Sequence, residues 1–234
     1  MIQELWAHDP LAEHTLLLAG PNEFLAPEGS QWEVPDRLAP SFVRAYELMG
    51  YTRVYPTERE AQWLMTNSGL EQLPPFFSPL GQEPVVDVFT VDGHTVGVVV
   101  FPELPPEMQE PTPMLATAVI DAGKALQGQV DLLIGVSSWG KWGEEHFLWH
   151  QDLPFDVLLG GGPGPGSWGQ LMNEDTILWM RTFFKGRSLS LLHVLKWPEP
   201  GQEHAWVLGE NYTTDVWAMY DEVPDDPAVR DLFH

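Results

Sequence analysis

The sequence contains no cysteine. Disulfides, thiolate nucleophiles, zinc–thiolate sites and iron–sulfur clusters are therefore excluded. Basic residues are scarce as well: 11 Lys and Arg stand against 34 Asp and Glu, a formal net charge of −23. Nucleic acid and anionic membrane surfaces are bound through Lys and Arg, so neither is expected as a partner. A phosphate-rich substrate is disfavoured too unless metal ions screen the acids. The plainer reading of the charge is that it keeps a Trp-rich surface dissolved. No apolar run approaches the length of a membrane span. Met1 is followed by Ile-Gln-Glu-Leu-Trp, without the basic and apolar regions of a signal peptide. The expectation is a soluble chain, cytoplasmic, or periplasmic if the true N-terminus lies upstream.

What is present is ample core material. The chain has 234 residues, 44% of them hydrophobic, with 11 Trp. That suffices for one large domain, and no repeat or boundary breaks the sequence, so a single domain over 1–234 is expected. Residues 2–13 read as a short helix and Thr15–Ala19 as a buried strand ended by Gly20-Pro21. Val85–Val91 alternates, Asp92-Gly93 is a hairpin turn, and Thr95–Phe101 is nearly all β-branched. Helices are expected over Phe42–Met49, capped by Ser41, and over Glu58–Thr66, Met114–Leu126 and Glu144–Gln151. Apolar strands are expected over Tyr51–Tyr55, Val130–Val136, Phe155–Leu159, Thr176–Met180 and Ser188–Leu195. Ala205–Leu208 reads as a further strand and Pro224–Pro227 as the start of a closing helix. Alternating helices and apolar strands indicate an α/β fold.

Several phrases, in order and spacing, resemble the calcineurin-like metallophosphoesterases. They resemble the 5′-nucleotidase and UDP-sugar hydrolase branch most. Leu16-Leu-Leu-Ala-Gly20 resembles the strand before that family's Gly-Asp, and Leu48-Met-Gly-Tyr51 the lead-in to its Gly-Asn-His-Glu. Gly93–Val100 resembles its Gly-x-Lys-Val-Gly-Val-Ile-Gly strand. Val130–Gly140 resembles the strand leading to its lone His, and Phe155–Gly162 the strand leading to its Gly-His-x-His. Pro224–Val229 resembles the helix that closes the catalytic domain. The resemblance runs from residue 15 to 233. It implies a four-layer α/β/β/α sandwich of two mixed sheets. The opening strand, with its Asp-x-His, has no counterpart here, and neither does the nucleotidases' C-terminal substrate domain.

The family's metal ligands are not matched. Pro21 stands at the bridging Asp, Glu58 and Arg59 at the Asn and His, Ser138 at the lone His, and Gly162 and Gly164 at the Gly-His-x-His histidines. Only Glu60 keeps the motif's chemistry. Two-metal hydrolysis needs carboxylate and imidazole donors at fixed geometry, and Gly and Pro offer none. The expectation is a non-catalytic relative without catalytic, cofactor or metal residues, acting through protein or ligand binding. The alternative is a phosphoesterase with a rebuilt site for a divalent metal such as manganese or zinc. A missing opening strand leaves unpaired backbone groups, so a protein partner or homo-oligomer is expected to cover it.

Other constellations carry less. His146 and His150 share a predicted helix face and form an alternative metal pair, without the general base of a zincin motif. Gly160–Gly166 lacks the Lys and Ser/Thr of a phosphate loop, and its prolines remove backbone donors. Ser137-Ser138 lacks a nucleophile elbow. Glu58 and Glu60 read most simply as acids at a helix start. Trp139, Trp142, Trp149, Trp168 and Trp179 crowd around the former ligand loops. They are expected to fill the vacated cleft, to form a protein-binding surface, or to pack as ordinary core.

Overall fold

A computed structural model describes residues 14–25, 34–105, 107–182, 188–199, 202, 204–219 and 225–234. The expected helix over 2–13 lies outside the described residues. The chain divides into two compact units, Met1–Leu80 with Tyr220–His234, and Gly81–Met219.

In the first unit, β1 (Leu18–Ala19) and β2 (Arg53–Val54) pair in parallel, joined through α1 (Ala39–Met49). The helix α2 (Glu58–Ser68) follows and packs on α1. Gly50 ends α1 in the left-handed region, where a Cβ is disfavoured. Ser41 does not cap α1. The helix begins two residues earlier, and Ser41 Oγ–H instead donates to the Leu232 carbonyl (2.5 Å). Beside it, Phe42 meets Phe233 edge to face, which fixes the C-terminal segment carrying α5 (Pro227–Arg230) within this unit. Phe24, Val43, Tyr46, Val54, Leu64 and Phe77 form the core.

The second unit is built on one six-stranded sheet. Its strands are β3 (Val85–Val91), β4 (His94–Val100), β5 (Leu132–Ser137), β6 (Val157–Gly160), β7 (Ser167–Met172) and β8 (Ile177–Arg181). The spatial order is β3-β4-β5-β6-β8-β7. The four central strands run parallel, and the two edge strands are antiparallel to their neighbours. Asp92 and Gly93 both take positive φ, as the tight β3–β4 turn requires. Every residue of β5 is buried, which is why it reads as an unbroken apolar run. The helices α3 (Pro113–Leu126) and α4 (Gly140–Leu148) share a core with the sheet: Phe101, Val119, Phe147, Phe155, Leu158 and Trp179. Full burial of each of these large side chains contributes about 2–3 kcal/mol. A hairpin of β9 (Ser188–Val194) and β10 (Tyr212–Ala218) completes the unit.

Candidate functional site

Each unit holds some of the positions that the sequence singles out, and in each unit local bonds tie up several of them. In the first unit, Thr57 caps α2 in a reciprocal capping box with Glu60. Its hydroxyl accepts from Glu60 N–H (3.1 Å), and the Glu60 carboxylate accepts from Thr57 N–H (2.9 Å). The same carboxylate also accepts from the backbone N–H groups of Asn22 (3.1 Å), Phe24 (2.7 Å) and Leu25 (3.1 Å). Four amide donors therefore converge on one buried Glu and fold the 21–25 bend around it. Pro21 begins that bend and presents no donor atom. Glu58 and Arg59 are exposed on the first turn of α2.

In the second unit the corresponding loops lock onto each other. Gly140 N–H donates to Gly161 O (3.2 Å) and Lys141 N–H to Pro163 O (2.8 Å). The opening amides of α4 would otherwise be a ready anion cradle. Here loop carbonyls occupy two of them. Ser138 and Gly162 come together through their backbones. A Cβ added to Gly162, at φ 70°, would collide with the Ser138 carbonyl oxygen. A Cβ on Gly164 would lie 2.7 Å from the Lys141 Cβ. Neither position has room for a histidine in this conformation.

Beneath the loop sits a buried ion pair that the sequence does not single out. Arg181 ends β8 and Glu144 faces inward from α4, both almost fully buried. Arg181 Nη1 bonds Glu144 Oε2. Arg181 Nη2 donates to the carbonyls of Gly161 (3.0 Å), Gly162 (3.3 Å) and Pro163 (3.1 Å), and Nε donates to Pro165 O (3.0 Å). Glu144 in turn accepts from the Trp179 indole N–H (2.9 Å) and Gly161 N–H (3.1 Å). Burial pushes the Glu144 carboxyl up, to about 7, against the pull of Arg181, Trp179 and Gly161. The guanidinium thus fastens the whole 161–165 loop from below. The available signal was a lone Arg ending the apolar run Ile177–Met180.

The other candidates scatter. His146 and His150 lie with ring centroids 6.1 Å apart. His146 Nδ1 is 3.4 Å from Glu110 Oε2, and His150 Nδ1 is 3.0 Å from Phe147 O. Among the described residues, no group of three or more His, Cys, Asp or Glu is placed to hold a metal ion. The Ser137 hydroxyl accepts from Trp139 N–H (3.1 Å) and so serves the turn. The five clustered Trp divide: Trp139 and Trp179 are core, whereas Trp142, Trp149 and Trp168 are exposed. No described helix is long and apolar enough to cross a membrane.

Pro21, Gly162 and Gly164 have no ligating side chain. Glu60 is saturated by amides, and Glu144 is committed to Arg181.

No family profile and no curated protein sequence matches the chain. Solved structures do resemble it. A 5′-nucleotidase precursor from Thermus thermophilus aligns over 99% of this chain and 50% of its own, at TM-score 0.65 and 16% identity. The NAD nucleotidase of Haemophilus influenzae aligns over 82% of this chain and 44% of its own, at TM-score 0.59 and 12% identity. The calcineurin-like phosphoesterase YfkN of Bacillus subtilis aligns over 99% of this chain and 84% of its own, at TM-score 0.59 and 13% identity. The chain thus spans about half the length of the two nucleotidases. The mixed six-stranded sheet, the helices packed on it and these likenesses together show that the chain has the calcineurin-like phosphoesterase fold.

Proposed function

We propose that this chain is a non-catalytic member of the calcineurin-like phosphoesterase fold and acts by binding. The observation that carries the reading is the Arg181–Glu144 pair with the loop it holds. Two-metal hydrolysis requires anionic and imidazole donors around an accessible pair of cations. Here a fixed guanidinium takes the loop's carbonyls, and a Cβ at Gly162 would collide with Ser138 O. The capped start of α4 removes backbone donors that could hold a phosphate. A net charge of −23 further repels phosphorylated substrates when no metal screens it.

The test is metal analysis of the purified full chain together with phosphatase and 5′-nucleotidase assays in added manganese or zinc. The expected result is sub-stoichiometric metal and no turnover above buffer. Stoichiometric metal with turnover would establish the alternative, a phosphoesterase with a rebuilt metal site, and overturn this reading.

A further inference from the structure

The helix α4 buries Gly143, Glu144, Phe147 and Leu148 against the sheet. Trp142 stands on its outer side and Trp149 is its C-cap residue, still in helical backbone conformation; they are 67% and 70% exposed. Seven residues apart, they stand on one face about 10 Å from each other. His146 lies between them, its ring centroid 5.8 Å from that of Trp149. Two Trp this exposed on a single helical face is a poor arrangement for a surface that touches only water. Both signs of charge flank them, with carboxylates in the majority: Glu110, Glu145 and Asp152 against Lys141. Glu110 reaches His146 from the loop before α3 at 3.4 Å, and Asp152, three residues after Trp149, is exposed. Lys141, a cation at this face, is bonded to Glu145 at 2.6 Å. Its ammonium nitrogen also stands 4.9 Å from the Trp142 ring centroid, so that indole already receives a cation.

We infer that the Trp142–His146–Trp149 face of α4 docks a basic segment of another polypeptide, one that carries Arg or Lys beside an apolar side chain. Indole faces attract cations, and carboxylates at the rim steer and hold them. Trp is also the residue most often responsible for the central affinity of an interface. Nucleic acid and anionic lipid carry the wrong charge for this rim. A second copy of the chain brings the same rim and the same −23 charge, so like charges oppose that pairing. The inference rests on the binding half of the proposed function. It stands or falls separately from the metal and turnover assays.

The experiment is fluorescence anisotropy on the full chain with two labelled synthetic peptides. One has Arg interspersed with Leu and Ser, and the other is identical with Glu for Arg. The expected result is binding of the Arg peptide alone, weakened at least about tenfold in the Trp142→Ser, Trp149→Ser double variant. Both positions are exposed, and circular dichroism checks that the variant keeps its fold. Glu110→Lys, a second variant away from the core, is expected to weaken the Arg peptide as well. Three results would overturn the inference. These are no binding of the Arg peptide, unchanged binding in the double variant (diffuse charge attraction only), or a dimer by light scattering that the double variant dissolves.

Discussion

Arg181 satisfies four loop carbonyls and one carboxylate, so its loss leaves several groups stranded at once. Arg181→Met keeps much of the volume and removes the charge. Glu144 then becomes a buried carboxylate without its cation, and the 161–165 carbonyls lose their donor. Breaking a buried pair from one side costs about 3–5 kcal/mol. Thermal unfolding should show a midpoint lowered by roughly 10 °C for a chain of this size. The double variant Arg181→Met, Glu144→Leu should recover part of that loss, because no lone charge remains. A double variant no better than the single one would mean that the loop carbonyls, and not the carboxylate, dominate the cost.

The bend at 21–25 and the start of α2 form one element, since a single carboxylate serves both. Thr57→Ala removes one cap bond and should cost about 1 kcal/mol. Glu60→Ala strips the acceptor from buried Phe24 N–H and from three further amides. It should cost about 3 kcal/mol, since an unsatisfied buried group alone costs about 1–3. Denaturant unfolding gives the size, and faster hydrogen exchange at the Phe24 amide gives the place. The sequence shows Glu60 as the motif's surviving acid but not that amides would consume it. That depends on a bend 36 residues away. The β3–β4 hairpin was legible to within a residue, because alternation, Asp-Gly and β-branching agree there. β7 and β10 were not. Ser167–Met172 is mostly polar or exposed and pairs only at the sheet edge, and Tyr212–Ala218 is half-buried without a clean period. The Ala205–Leu208 strand proved to be an irregular stretch with one bridge at Leu208. α4 starts at Gly140, earlier than the expected Glu144, because tertiary bonds to the Gly161 and Pro163 carbonyls, not a local cap, set it.

At the scale of the molecule, acidity and burial act together on stability. Asp156 is held at about 6 by burial, opposed by one bond from Leu133 N–H, against an ordinary value of 3.8. The folded state therefore holds a proton that the unfolded chain releases. Stability should rise as pH falls through about 6, with the gain complete below about 4. Asp156 can contribute up to about 3 kcal/mol to that change, and less to the extent that water screens its partly accessible side chain. The variant Asp156→Asn keeps an acceptor for Leu133 N–H and should flatten the profile, gaining most at about pH 8. Urea titrations across pH check this, and a profile that climbs with pH would refute it. The locked loop also bears on how this fold could change over time. A histidine at Gly162 would need the Ser138 carbonyl moved and the loop's grip on Arg181 released together. A substitution at Gly162 alone leaves the Ser138 carbonyl in the way, so an imidazole there requires accompanying changes in the loop. Divergence at the site is free to continue in other directions.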